Sequence, residues 1–298
     1  MIMSEKELLI NIDGKFYPKS EAKISVYDHG LLYGDGVFEG IRAYNGVVFK
    51  LKEHIDRLYS SAHAILLQIP LPKEAMIKAV VETLKKNDLT NAYIRLVVTR
   101  GVGDLGLDPR KCPRPTIIII TDTIKLMDER LREEGVKAAI VWVRRDAMDA
   151  TPRNVKSLNY LNHVLGKIEA NLAGADEGIC LGADGSVCEG IAENIFIVKD
   201  GVLLTPTTCT GALPGITRKE VMKWARKLNY EVVEKIITPS ELFNADESFF
   251  TGTAAEIVPI REINERIIGD GRPGSITKRL MEEFKKAIGN PTEGTLIQ

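Results

Sequence analysis

Cysteine is scarce: Cys112, Cys180, Cys188 and Cys209 are the only four, with no Cys-x-x-Cys pair and no histidine at zinc-finger spacing. That excludes a small disulfide scaffold and supplies no metal or redox motif. Pairing among the four stays open, since intracellular proteins of hyperthermophiles do carry disulfides. Glutamine occurs only at Gln68 and Gln298, a depletion of a thermolabile type that points to a hot habitat. An excess of one charge is missing too. Forty Lys+Arg against 41 Asp+Glu leave a formal charge of −1, without the broad positive field that nucleic-acid binders use. Uninterrupted apolar runs such as Ile117–Ile120 fall far below the ~18 residues of a membrane span, and Met1–Lys6 has no signal-peptide apolar region. The expectation is a cytoplasmic protein with neither nucleic acid nor membrane as partner.

What is present is average globular composition, 44% hydrophobic and 27% charged, in 298 residues. At ~150 residues per domain that suits two domains with real cores. Asp13-Gly14 and Asn45-Gly46 each sit between apolar stretches and predict hairpins. Apolar spacing predicts helices from Leu51 and over Lys73–Lys86, then strands over Tyr93–Thr99 and Thr116–Thr121. Residues 121–134 turn polar and read as an interdomain loop, so the expected organisation is an α+β domain at 1–120, the loop, and a second α+β domain at 135–298. In the second half Leu158, Leu161, Val164, Leu165, Ile168 and Leu172 trace a helical stripe that ends at Gly174, and further helices are expected over Thr217–Leu228 and Ser275–Ile288.

One motif misleads. Gly101-Val102-Gly103-Asp104-Leu105-Gly106 fits the G-x-G-x-x-G dinucleotide fingerprint and follows a strand. The fingerprint must open a helix, however, and Pro109, Pro113 and Pro115 fill the short stretch before the next strand. A flexible loop is the better reading.

Leu213-Pro214-Gly215-Ile216-Thr217-Arg218-Lys219-Glu220 reads as a helix start, with Thr217 predicted as N-cap and Glu220 closing a capping box. Free amides at such a terminus can hold a phosphate, although on spacing alone simple capping is favoured. Thr251-Gly252-Thr253-Ala254-Ala255-Glu256, between two apolar strands, is a candidate anion-binding turn. Lys156 lies between a loop and an apolar helix, a place where most lysines are solvated but where a side chain can also enter a cleft.

Order and spacing connect these pieces. Lys156-Ser157-Leu158-Asn159-Tyr160, then Glu189-Gly190 with Glu193-Asn194, then Leu213 to Arg218, then Thr251 to Glu256 together resemble the class IV aminotransferases, the fold-type IV pyridoxal-phosphate enzymes. The first half adds Tyr33-Gly34-Asp35-Gly36-Val37-Phe38-Glu39-Gly40-Ile41-Arg42, His54-Ile55-Asp56-Arg57-Leu58 and Tyr93-Ile94-Arg95. It is similar to the branched-chain amino acid aminotransferases rather than to the D-amino acid aminotransferases or aminodeoxychorismate lyases. The resemblance spans nearly the whole chain. It implies two α/β domains of the D-amino acid aminotransferase-like architecture, pyridoxal 5′-phosphate as cofactor, amino acids and 2-oxo acids as substrates, and at least a homodimer.

The resemblance also implies roles. Lys156 would form the Schiff base with the cofactor and then move the proton between substrate Cα and cofactor C4′, which favours a lowered amine pKa. Glu189 would bind the pyridine nitrogen and keep it protonated, and Tyr160 would hydrogen-bond the 3′ oxygen. Arg57, with Leu213, Ile216 and Thr217 at the helix start and Thr253, would hold the phosphate and its surroundings. Phe38 and the Tyr33 ring would meet the branched side chain. Arg95, with the Tyr33 hydroxyl and Arg42 as helpers, would bind the γ-carboxylate of glutamate. The amides of Thr253 and Ala254 and the Tyr93 hydroxyl would take the α-carboxylate. Bacterial relatives place aromatics in the interdomain loop, whereas Thr121–Leu131 offers only Ile124, Leu126 and Met127. A D-amino acid or (R)-amine transaminase of the same class, and a non-catalytic binding module, are the competing readings.

Overall fold

The computed structural model describes residues 7–123, 129–145 and 155–297. The first elements are β1 (Leu9–Ile12), β2 (Lys15–Pro18), a short α1 (His29–Tyr33), β3 (Gly36–Tyr44) and β4 (Val47–Phe49). Asp13-Gly14 and Asn45-Gly46 take positive φ at all four residues, the type I′ geometry whose twist matches the strands, and they close the β1–β2 and β3–β4 hairpins as the sequence predicts. Then come α2 (Leu51–Ala64), α3 (Lys73–Lys86), β5 (Ala92–Thr99) and β6 (Thr116–Asp122). Because β5 and β6 are antiparallel neighbours and no α-helix lies between them, the glycine loop at 101–106 opens no βαβ crossover, and the dinucleotide reading falls.

The chain continues through α4 (Glu129–Glu134), β7 (Val136–Arg144), α5 (Leu161–Leu172), β8 (Glu177–Leu181), β9 (Val187–Gly190), β10 (Asn194–Lys199) and β11 (Val202–Pro206). After these follow α6 (Ile216–Lys227), β12 (Val232–Lys235), α7 (Pro239–Phe243), β13 (Glu247–Gly252), β14 (Glu256–Ile263), β15 (Arg266–Ile267), α8 (Ser275–Ala287) and β16 (Gly294–Leu296). Two compact units result. One takes Met1–Ile124, Val155–Asn159 and Ile288–Gln298; the other takes Lys125–Asn154 and Tyr160–Ala287. Each is a sheet with helices, in keeping with the expected α+β class.

The first unit is an antiparallel sheet in the order β16-β4-β3-β5-β6-β1-β2. Strand alternation splits its residues cleanly. Val37, Ile41, Ile94, Leu96, Val98, Ile117 and Ile119 point to one side and meet Ile55, Leu58 and Ala62 of α2 and Met76, Val80 and Leu84 of α3, all in one buried core. Each such side chain contributes ~1.5–3 kcal/mol by leaving water. The opposite face of β3 and β5 is thereby left for other work. Residues 156–158 add to the free edge of β3: the Phe38 amide donates to the Lys156 carbonyl (3.0 Å) and the Leu158 amide to the Gly36 carbonyl (3.0 Å).

In the second unit the strand order is β12-β11-β10-β13-β14-β7-β8-β9, with β15 on β14. The stripe predicted from Leu158 to Leu172 is helical only from Leu161, as α5, since the Leu158 amide is bonded to the Gly36 carbonyl instead, and it faces outward: Leu161 is 69% and Leu172 83% exposed, with Val164, Leu165 and Ile168 also exposed. α5 docks instead through Gly166 and Ala170, and a Cβ on Gly166 would lie 3.4 Å from Ile191 and 3.6 Å from Val141. Small residues let the helix settle onto the sheet without spending its large apolar side chains.

Candidate active site

The helix-free face of the first sheet collects most of the predicted substrate residues. The β3–β5 register sets Gly40 opposite Arg95, Arg42 opposite Tyr93 and Phe38 opposite Val97, so Phe38, Arg42, Tyr93 and Arg95 share one face. A Cβ at Gly40 would collide with the Tyr93 hydroxyl, which is why glycine stands there. Arg95 Nη2 donates to the Tyr93 hydroxyl (3.0 Å), and its guanidinium carbon lies 4.7 Å from the centre of the Phe38 ring. A fixed cation thus stands over an apolar floor. Arg42 lies 4.6 Å over the Tyr44 ring. Tyr33 does not join Arg95 by a hydrogen bond: its hydroxyl donates to the Leu105 carbonyl (2.5 Å). Lys156, half-buried, holds its Nζ 4.5 Å from the centre of the same Phe38 ring, and its backbone amide donates to Ser61 Oγ (3.2 Å).

On the core side of β3, Glu39 is fully buried between two partners. Arg57 donates to both its oxygens (2.7 and 2.8 Å), and His54 Nδ1 lies 2.7 Å from Oε2. Burial alone would raise the Glu39 pKa, but the Arg57 charge and then His54 outweigh it and hold the carboxyl at about 2. Burial pushes His54 down, against the pull of Glu39, so a neutral imidazole donates to an anionic carboxylate. Arg57 is therefore oriented by a bidentate acid before any phosphate meets it.

The sign of the pH dependence follows. An unfolded glutamate takes up its proton near 4.5 and the folded one near 2, so stability present above 4.5 is lost as pH falls toward 2, on the order of 3 kcal/mol. His54 adds loss in the same direction, below its ordinary value of about 6.5. Urea unfolding of Glu39→Gln should show a much flatter acid limb than the wild type, and a cost at neutral pH of about 3 kcal/mol from the stranded Arg57. Parallel acid limbs would show that Glu39 is not the buried anion.

In the second unit Glu189 is 4% exposed on β9. The Leu213 amide (2.9 Å) and Asn194 Nδ2 (3.3 Å) donate to its Oε2, and Arg145 to its Oε1. A carboxylate has about four acceptor positions, so one stays open on Oε1 for a further N–H, as a protonated pyridine would require. Asn194 also donates to the Leu213 carbonyl (2.8 Å), and its Oδ1 leaves no room for a Cβ on Gly215. Tyr160 opens α5 with its ring stacked on His163 at 3.9 Å.

The predicted cap at Thr217 is corrected. α6 begins at Ile216, its N-cap is Gly215 without a side-chain cap, and Thr217 lies one position inside, so the expected capping box with Glu220 does not form. The local pattern favoured a hydroxyl cap; the structure uses a glycine, leaving the first amides of α6, those of Ile216 and Thr217 among them, without partners inside the helix. That is the arrangement that suits a phosphate. Thr253 and Ala254 lie in the turn beyond the last β13–β14 pair, Gly252 with Glu256. Five buried polar side-chain atoms have no hydrogen-bond partner among the described residues, Thr251 Oγ1 and the Nε atoms of Arg132, Arg145, Arg218 and Arg261, and two of them, at Thr251 and Arg145, lie among or next to the candidate residues.

Several residues had no assigned role in the sequence reading. Glu39, His54 and Asn194 stood inside quoted motifs, and Arg145 and His163 carried no local signal. Glu193, half-buried beside Gly252, has its carboxyl pushed up to about 8, first by burial and then by the Glu177 charge. Ile124, Leu126 and Met127 of the interdomain loop lie outside the described residues.

The chain is similar in sequence and fold to known proteins. The model of the family "Amino-transferase class IV" matches residues 36–263. A Methanocaldococcus jannaschii protein, provisionally named a branched-chain-amino-acid aminotransferase, is 58% identical over 276 residues, 93% of this chain and 95% of that one. Among solved structures, the branched-chain aminotransferase of Thermoproteus uzoniensis with norvaline is 39% identical, with a TM-score of 0.92 over 98% of this chain and 100% of that one. The branched-chain amino acid aminotransferase of Thermobaculum terrenum, in its pyridoxal-phosphate holo-form, is 28% identical, with a TM-score of 0.85 over 95% of this chain and 94% of that one.

Proposed function

The chain belongs to the class IV amino-transferases, and on that premise we propose that it transfers the amino group of Leu, Ile or Val to 2-oxoglutarate with pyridoxal 5′-phosphate as cofactor. The observation that carries the substrate reading is the β3–β5 face, where the Arg95 guanidinium stands over the Phe38 ring beside the Tyr93 hydroxyl. One surface there offers apolar area to a branched side chain and a cation to a γ-carboxylate.

When bound, the cofactor supplies an aldehyde that condenses with amines and a ring that takes up the electron pair left at Cα. The residues of this chain do the rest. Lys156 Nζ holds the cofactor and carries the proton from substrate Cα. Glu189, held in place by Arg145 and two amide donors, would meet the ring nitrogen and hold its proton. Tyr160 donates to the 3′ oxygen. As the resemblance implies, Arg57 and the amides of Ile216 and Thr217, together with Leu213 and Thr253, would bind the phosphate end. The Tyr93 hydroxyl and the Thr253 and Ala254 amides orient the α-carboxylate, and Arg42 and Tyr33 lie at the margin of the substrate face. Its substrates are amino acids and 2-oxo acids, and a cytoplasmic location is part of the proposal. Among the described residues no helix is long and apolar enough to cross a membrane. A homodimer is the proposed assembly, supported by the outward apolar stripe of α5, which has the spacing of a helix-packing face.

The testing experiment is the visible spectrum of the yellow holoenzyme before and after L-leucine, followed by turnover with 2-oxoglutarate. Bleaching by L-leucine but not by D-alanine is expected. The reverse preference would transfer the protein to the D-amino acid branch. Glu189→Gln should stay folded and yellow yet lose roughly a hundredfold in the half-reaction with L-glutamate, because a neutral amide no longer holds the ring proton. Unchanged half-reaction rates in rapid mixing would remove Glu189 from that role.

A further inference from the structure

His163 is read from the sequence only as one residue of an apolar helix, yet it stands at the centre of the Glu189 surroundings. Its Nε2 lies 2.6 Å from Arg145 Nη1, its Nδ1 contacts the Ile191 carbonyl, and its ring stacks on Tyr160 at 3.9 Å with the planes 12° apart. Arg145 Nη2 in turn reaches Glu189 Oε1. The chemistry of the two ring contacts leaves one assignment. A guanidinium only donates, so Nε2 must accept and carries no proton; a carbonyl only accepts, so Nδ1 must carry it. We propose that His163, held as the neutral Nδ1–H tautomer, is a positioning residue that aims the Arg145 guanidinium at Glu189 while its ring face seats Tyr160. The inference rests on the proposed roles of Glu189 and Tyr160 toward pyridoxal phosphate and adds the group that aligns both.

The guanidinium has little else to hold it. Arg145 is nine-tenths buried and its Nε has no partner, so among the described residues His163 and Glu189 are its two anchors at opposite ends of the planar group. With His163 gone, Arg145 pivots about a single contact to Glu189 Oε1. The carboxylate then loses a fixed direction for its remaining lone pair.

The test uses the full-length protein with its four histidines labelled with 15N. A long-range 1H–15N spectrum at neutral pH, without cofactor, should show for His163, identified by its loss in a variant, a protonated Nδ1 and a bare Nε2. An imidazolium or an Nε2–H tautomer would overturn the proposal. Two variants supply the functional readout. His163→Phe keeps the aromatic stack but removes the acceptor, and His163→Gln keeps an acceptor for Arg145. His163→Phe should bind pyridoxal 5′-phosphate at least tenfold more weakly, with a displaced pH midpoint of the visible band, while His163→Gln stays within about threefold of wild type. Equal losses in both variants that track their melting temperatures would assign His163 a purely structural part and refute the positioning role. If His163→Phe does not fold, the tautomer and the Gln variant decide. A wild-type protein that fails to take up pyridoxal phosphate would instead sink the functional reading, which the cofactor-free spectrum keeps separate.

Discussion

Lys156→Ala should fold, still take up pyridoxal phosphate through its phosphate end, and transaminate L-leucine at least a thousandfold more slowly. Folding survives because the segment is tied to β3 through its backbone, the Phe38 amide to the Lys156 carbonyl and the Leu158 amide to the Gly36 carbonyl, and neither bond involves the lost amine. Activity does not survive, because one side chain serves as both nucleophile and proton carrier, and a positioned acid–base group alone contributes ~10²–10⁴. Borohydride reduction followed by peptide mapping should place the label on Lys156 in the wild type and nowhere in the variant. Turnover near the wild-type rate would refute the assignment.

Arg95→Met separates the two substrates. The side chain keeps its apolar reach over Phe38 but loses the guanidinium, so the half-reactions with L-glutamate and 2-oxoglutarate should weaken by well over tenfold relative to that with L-leucine. Removing one partner of a desolvated charge pair costs about 2–5 kcal/mol, whereas leucine offers no charge to lose. Glu39, next to Phe38 in the chain, is no scaffold partner for Arg95, because its carboxylate lies on the other side of β3, taken by Arg57 and His54. Equal losses for both amino acids would show that Arg95 does not read the γ-carboxylate.

Local order was legible where local physics decides it. The two Xaa-Gly turns, the α2 and α3 faces and the α+β alternation follow from φ preferences and apolar spacing over a few residues. Non-local pairings left no such trace. β16 pairs with β4, Gly294 against Phe49, and residues 156–158 extend β3, in each case by backbone bonds that leave no periodic pattern in the side chains. The site divided in the same way. Phe38, Arg42, Tyr93 and Arg95 share a face because alternation is exact, whereas Arg145, just past the end of β7, reaches Glu189, and His163 of α5 reaches Arg145, at no fixed spacing. The misplaced cap at Thr217 carries the clearest lesson. Capping rules assume that a side chain satisfies the helix start, and α6, with Gly215 as its N-cap, has no side-chain cap.

The outward stripe of α5 has a thermodynamic consequence. Two copies that bury Leu161, Val164, Leu165, Ile168 and Leu172 against each other make the folded state a second-order species, so its stability rises with protein concentration. Melting temperature measured across a hundredfold dilution series should fall with dilution, and Val164→Glu with Ile168→Glu should lower it and remove the slope. A melting temperature independent of concentration, with a monomer in sedimentation, would leave the stripe without a partner. Where the pairing holds, dilution rather than heat becomes the gentlest way to unfold this chain.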